Sequence, residues 1–161
     1  MIDTSNLSAF LERVQLAQSE LKPYAARTLD EIGEEFLDMV QGEIQSNGHI
    51  VSGALAASFK KGGAGNIYQL DTGGLTLTIG STVNYAKWVE KGHGQRPGRF
   101  IPGYWAGKRF VYDRGAPGGM VLKANFVKGS YFFTKACAQL RELFPTFTEK
   151  AFEHFFAMYF G

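Results

Sequence analysis

Apolar residues at Leu7, Phe10, Leu11, Val14, Ala17 and Leu21 recur every three or four positions, the spacing that lines one face of an α-helix. Pro23 interrupts this pattern, because proline lacks an amide hydrogen and clashes with the preceding turn. Either two helices meet there or one long helix bends. Beyond it, Ala25, Leu29, Ile32, Phe36, Met39, Val40 and Ile44 fall on one side, while Asp30, Glu31, Glu34, Glu35, Asp38 and Glu43 take much of the other. Asn47-Gly48 supplies residues that tolerate the left-handed conformation after a helix and closes the segment.

Residues 52–59 predict one or two helical turns, and the glycine-rich tract 60–66 that follows is turn-forming. Residues 67–70 and 75–80 then read as strand, turn, strand. In the second, Leu75, Leu77 and Ile79 alternate with Thr76 and Thr78, so one face is buried and the other wet. Asn84 to Glu90 predicts a short helix. Residues 91–119 hold eight glycines and three prolines, with Phe100-Ile101 and residues 109–112 as the strand-like pieces. A loop of this length within a domain is functional or mobile. Residues 120–127 predict one more strand.

From Ser130 the helical spacing returns through Phe132, Phe133, Ala136, Leu140 and Leu143. Pro145 breaks it, and Thr146-x-x-Glu149 resembles a capping box that restarts a helix. That last helix carries Phe147, Phe152, Phe155, Phe156, Tyr159 and Phe160 on nearly all sides, and a helix apolar all round needs cover. Phe132, Phe133 and Phe152 are assigned to the domain's own core. The fold class is α+β. A long N-terminal helix and C-terminal helices pack on a small antiparallel sheet, with a long Gly/Pro-rich loop, all in one domain over residues 1–161.

Composition adds bounds. The chain of 161 residues is 45% hydrophobic and 20% charged, enough for a sizeable core and too apolar for wholesale disorder. No apolar run approaches the roughly 20 residues of a membrane span. Residues 1–6 lack the basic and apolar regions of a signal peptide, so the expected setting is cytoplasmic. Charge is segregated. Residues 1–60 carry nine acids and four bases, a balance of −5, whereas residues 61–129 carry ten bases and three acids, a balance of +7. Such a division suits a polyanion, or a basic segment of one protomer meeting a neighbour's acidic one.

No constellation carries catalysis. His49, His93 and His154 are far apart and lack companions at ligand spacing, so no metal is expected. Residues 103–109 (Gly-Tyr-Trp-Ala-Gly-Lys-Arg) place three residues between the glycines and Arg after Lys, where a phosphate loop needs four and then Ser or Thr. The glycines at 62, 63 and 65 miss the dinucleotide spacing. Cys137, the single cysteine, reads as a small core hydrophobe. Ser46, Ser52, Ser58, Ser81 and Ser130 lack a nucleophile elbow. Asp30-Glu31 and Glu34-Glu35 lie on a wet helix face. The expectation is a protein without enzymatic activity and without a cofactor. Its exposed-looking Trp88, Tyr104 and Trp105 suit a subunit of an assembly.

Four segments carry a resemblance: residues 51–59 (Val-Ser-Gly-Ala-Leu-Ala-Ala-Ser-Phe), residues 80–93 with Tyr85-Ala86 and Val89-Glu90-Lys91-Gly92-His93, residues 103–105, and residues 127–136 with Gly129-Ser130-Tyr131-Phe132. In order and spacing the chain resembles, over residues 10–160, the small tailed-bacteriophage proteins that join head to tail: neck, tail-completion or tail-terminator proteins. Ala56 stands where many members carry Arg or Lys, and the 94–119 loop is longer than in the simplest members.

The resemblance implies a virion structural protein that assembles into a ring, usually of six copies, at the neck or head-proximal tail end. Its partners would be copies of itself and the neighbouring head-connector and tail-tube proteins, with DNA passing through the centre and no membrane involved. In that light Tyr85, Ala86 and Val89 form the buried face of a short helix, Glu90 is placed to pair with a base, and Gly92 ends the helix at positive φ. The 91–119 loop orders on contact with a neighbouring ring. The expected interface residues are Tyr85, Trp88, Glu90, Lys91, Arg96, Arg99, Tyr104, Trp105, Lys108 and Arg109. The alternative is a non-specific nucleic-acid-binding module using the basic, aromatic 91–119 segment, with Phe100, Tyr104, Trp105, Phe110 and Tyr112 as stacking platforms.

Overall fold

A computed structural model describes residues 5–47, 53–107 and 109–161. Gly48, His49, Val51, Ser52 and Lys108 therefore lie outside the described residues. The chain folds as two compact units. A helical unit comprises residues 1–86 and 132–161, and residues 87–131 form the second, inserted unit.

The helical unit is built on α1 (Ser5–Ser46) and α4 (Phe132–Phe160), which lie antiparallel. Phe10 meets Phe160, Tyr24 meets Phe155, and Phe36 meets Phe133. Neither proline ends its helix. α1 runs unbroken through Pro23 and α4 through Pro145, so there is neither a junction at Pro23 nor a restart after the Thr146-x-x-Glu149 motif. Both prolines lie exposed, on the outer side of their helices. Neighbouring contacts offset a cost of about 3 kcal/mol. Beside Pro23 the Tyr24 hydroxyl donates to the Ala151 carbonyl at 3.0 Å. Beside Pro145 the Thr148 hydroxyl donates back to the Phe144 and Pro145 carbonyls.

The core follows the predicted face of α1 beyond Pro23. Ile32, Phe36, Leu37, Val40 and Ile44 are buried with Phe132 and Ala136 of α4. They meet Leu55 and Phe59, supplied by the single turn α2 (Ala54–Ala57) and the chain after it. Phe59 packs edge-on to Phe132 at 5.7 Å. Phe132 and the half-buried Phe133 take core places as expected, whereas Phe152 is 55% exposed. It lines an open apolar groove with Leu21, Tyr24 and Leu29 of α1 rather than the closed core, a distinction invisible in a helix with aromatics on every side. Cys137 is half-buried.

The expected hairpin forms as β1 (Asn66–Asp71) and β2 (Thr76–Ser81), antiparallel, with Tyr68 opposite Ile79 and Leu70 opposite Leu77. It reaches α1 at Gly33. A Cβ there would lie 2.5 Å from the Tyr68 hydroxyl oxygen and in collision with Leu77. The Tyr68 hydroxyl cannot retreat freely, because it lies 2.8 Å from both the Asp30 carbonyl and carboxylate oxygens, to which it donates. Gly33→Ala is therefore expected to lower stability by about 1–3 kcal/mol through overpacking, although alanine is the better helix former by about 1 kcal/mol. Urea unfolding followed by helical circular dichroism measures the sign; a stabilised variant would show that hairpin and helix are further apart.

In the inserted unit the Gly/Pro-rich stretch is sheet rather than loop. α3 (Ala86–Lys91) leads into β3 (Gly92–Gly94), which pairs with β7 (Phe126–Lys128). β4 (Phe100–Ala106) stands between β5 (Arg109–Tyr112) and β6 (Gly119–Val121) in an antiparallel three-stranded sheet. The expected strand over 120–127 is thus divided between two sheets. Among the described residues, three small antiparallel sheets, the β1–β2 hairpin included, replace the single one expected. Glycines make the close pairing possible here. The Phe110 ring lies across Gly103 and the Phe100 ring across Gly119, each occupying the space of a missing side chain. The expected ordering of residues 91–119 by a neighbouring ring is replaced by pairing within the chain itself.

Candidate assembly surface

Two of the sequence segments singled out above meet in the inserted unit. α3 ends at Gly92, whose φ of 81° only glycine adopts without strain. The last carbonyls of a helix have no intrahelical partner, and here residues 129–131 supply donors. The Ser130 amide bonds the Val89 carbonyl at 2.9 Å, the Ser130 hydroxyl bonds the same oxygen at 3.2 Å, and the Tyr131 amide bonds the Glu90 carbonyl at 3.0 Å. This clasp requires the backbones at Gly92 and Gly129 to touch. A Cβ on Gly129 would meet the Glu90 carbonyl and lie 2.5 Å from the Gly92 nitrogen. The Tyr85–His93 and Gly129–Phe132 patterns are therefore two halves of one joint.

The helical unit joins two more segments. Ser58, fully buried, donates to the Leu55 carbonyl at 2.7 Å and accepts from the Ser81 hydroxyl at 2.7 Å. Ser81 in turn accepts from the Val83 amide. The Leu-x-x-Ser pattern at 55–58 thus holds the end of β2 and aims the chain toward Tyr85. Ser58 is a structural link with its hydroxyl committed, not a nucleophile.

A charged cluster fixes the glycine-rich tract to α1. Lys61 Nζ lies 2.8 Å from Asp30 and 2.7 Å from Glu34, and 4.7 Å from the centre of the Tyr68 ring. The bond from Lys61, aided by the Tyr68 hydroxyl, holds the Asp30 carboxyl below the usual carboxylate range. Bonds to Asp30 and Glu34 push the Lys61 ammonium up. Burial, then the bond to Asp30, raises the Tyr68 phenol. With Lys61 and Asp30 both substantially exposed, the pair adds order rather than much stability.

The expected interface residues fall into distinct places. Tyr85 precedes α3, and neither it nor Ala86 and Val89 is buried; α3 has no buried face. Trp88 is 49% exposed, stands edge-on to His93 at 6.2 Å, and has the Lys87 ammonium over its ring. Glu90 and Lys91 occupy the clasped end of α3. Arg96 and Arg99 lie exposed in the turn before β4. Tyr104 and Trp105 are both more than half exposed, yet as neighbours on β4 they point to opposite faces. Tyr104 shares its face with Arg109, Phe100 and Val121, as the strand register requires. Trp105 shares the other with Phe110, edge-on at 5.4 Å. A flat partner therefore reaches one of the two aromatics, not both, which a linear reading of 104–105 does not reveal.

The division into units coincides with the division of charge. Residues 87–131 contain nine bases and two acids, a balance of +7, and the helical unit contains eight bases and thirteen acids, a balance of −5.

Residues 8–92 match the family described as "Bacteriophage HK97-gp10, putative tail-component". The chain belongs to this HK97-gp10-like family of phage tail components. The match spans α1, the β1–β2 hairpin and α3, and ends on the glycine that terminates α3. Among curated relatives, the phage-like element PBSX protein XkdI of Bacillus subtilis (strain 168) is 36% identical over 122 residues, 74% of this chain and 76% of its own length. A second protein of that organism, the uncharacterized YqbI, is 34% identical over 152 residues, covering 89% of this chain and 91% of its own. That coverage leaves too few residues outside to omit the inserted unit. No solved structure matches the chain significantly. A phage tail component works among other phage structural proteins in the virion. No helix among the described residues is long and apolar enough to cross a membrane.

Proposed function

We propose that this tail component is a ring subunit, of six copies, that joins the head connector to the tail tube as a neck, tail-completion or tail-terminator protein, with DNA passing through its channel without sequence-specific contact. Both units, residues 1–161, act as one joining subunit without enzymatic activity. Tyr85, Trp88, Glu90, Lys91, Arg96, Arg99, Tyr104, Trp105, Lys108 and Arg109 contribute its contact surfaces. The observation that carries the reading is the uncovered apolar surface at the end of the helical pair. Phe10, Phe160 and Phe156 touch ring to ring there, Phe152 lies one turn from Phe156, and all four are exposed, Phe152 and Phe156 by more than half. A contiguous exposed apolar patch of this kind marks a surface that another protein covers.

The test is native mass in dilute buffer, alone and then with tail tubes or DNA-filled heads. A hexamer, or a monomer that becomes a ring on one of them, is the expected result and identifies the recruiting side. A chain that stays monomeric and ignores both refutes the reading.

One observation favours the second reading, a nucleic-acid-binding module. Exposed Tyr104 and Phe100 beside Arg109 resemble a stacking platform with a cation for the backbone. DNA affinity falling steeply with salt, without any ring, would select it.

A further inference from the structure

We propose that, in the ring, the β4–β5–β6 sheet of one copy seats in the acid-rimmed groove between α1 and α4 of the next copy. The inference rests on the ring reading and specifies its interface. The groove has a volume of about 550 Å³. Its floor is Tyr24, Ile32 and Phe147, and its α1 rim carries Glu31, Glu35 and Asp38, with Lys150 its one lining base. Glu34 also lines it but is held by Lys61. Apolar floor with acidic rim calls for an occupant that is aromatic in the middle and basic around the edge.

The sheet of a second copy has that composition. The face bearing Phe100, Tyr104 and Val121 is uncovered, each residue more than half exposed. Arg109 stands on the same face, and Arg96 and Arg99 flank it, all exposed. The charge balances of the two units, −5 and +7, are opposite and of similar size. Complementary potentials of this kind fix partner and register. DNA would satisfy the arginines of the sheet but leave the acidic groove uncovered; a second copy satisfies both. The two surfaces are also different from each other, so the contact is head-to-tail. Such contacts close into rings of more than two copies or continue as filaments, whereas a two-fold dimer needs a self-complementary patch.

The experiment uses two full-length variants. One reverses the groove (Glu31→Lys, Glu35→Lys and Asp38→Lys), the other the sheet (Arg96→Glu, Arg99→Glu and Arg109→Glu). All six side chains are exposed, and circular dichroism checks that each variant folds. Assembly is read as native mass against protein concentration, with tail tubes or heads present if the unmodified chain needs them. Each variant alone is expected to require about 100-fold more protein to assemble, from juxtaposed like charges. An equal mixture should recover the particle, because reversed groove then meets reversed sheet and the unmodified pair meets at the next contact around an even-numbered ring.

Variants that assemble like the unmodified chain, or a mixture without recovery, overturn the interface while leaving the ring standing. An unmodified chain that forms no particle under any condition overturns the ring reading and this inference with it. A sheet-reversed chain that assembles normally but loses DNA affinity assigns the sheet to nucleic acid instead. Should a reversed variant fail to fold, the neutral set Glu31→Gln, Glu35→Gln and Asp38→Asn serves in its place. It should weaken assembly and flatten its salt dependence, and unchanged assembly again overturns the interface.

Discussion

Gly129→Ala is expected to unfold the joint that organises residues 87–131. The new methyl group would collide with the Glu90 carbonyl oxygen and approach the Gly92 nitrogen and Lys91 carbonyl carbon to 2.5 Å. These are backbone atoms at the end of α3 and the start of β3, so no rotamer change makes room. The only relief is to separate β3 from β7, which breaks the bonds from Ser130 and Tyr131 to the end of α3. The cost is of the exceptional kind, about 4 kcal/mol or more. Gly98→Ala is the control. Gly98 has a similar positive φ, 82°, as Gly92 has, but a Cβ there meets nothing within 4 Å. It should cost the conformational penalty alone, about 1–2 kcal/mol. Amide hydrogen exchange over 86–94 and 126–131, with the fluorescence of Trp88 as a second probe, separates the two. Equal protection in both variants would show that the backbones at 92 and 129 do not meet.

Phe132→Ala should be the most damaging truncation in the helical unit. Phe132 is 1% exposed and packs against Phe59 at 5.7 Å, joining α4 to the turn after α2. Removing a buried aromatic ring costs about 3–5 kcal/mol, the lost transfer energy plus the cavity left behind. Phe152→Ala, on the same helix but 55% exposed, should change stability by less than about 1 kcal/mol and instead weaken assembly. Because the chain has two units, unfolding need not be a single transition. Helical circular dichroism isolates the unit in question, since nearly all the helix lies there. Equal losses from the two substitutions would mean that Phe152 is covered in the folded chain.

The comparison of these phenylalanines shows how far the sequence reads. Periodicity located the buried side of α1 beyond Pro23, because Ile32, Phe36, Val40 and Ile44 are separated by acids that belong in water. It failed on the last helix, where Phe152, Phe155 and Phe156 offer no polar contrast and only Phe155 is buried. The interface candidates were legible as residue types and not as a surface. Tyr104 and Trp105 are adjacent in the chain, and strand alternation sets them on opposite faces. Gly33 carried no visible signal at all, since a glycine within a helix gains meaning only once Tyr68 and Leu77 are known to approach it.

Residue types and motif order alone establish the α+β class, the hairpin over 67–80, the stop at Gly92, the separation of charge and the phage family resemblance. Each of these depends on residue types within a few positions or on a motif read in order. Tertiary structure alone decided the continuity of α1 and α4 through their prolines, the strands within 91–119, and the clasp between residues 89–92 and 129–131. In each case the deciding term is an interaction with a distant segment. A helix keeps a proline when packing on its partner outweighs one lost hydrogen bond, and a glycine-rich stretch becomes sheet when remote backbone amides and carbonyls bond to its own. Local pattern records a residue's preference, and the segment that comes to lie beside it determines whether that preference is kept.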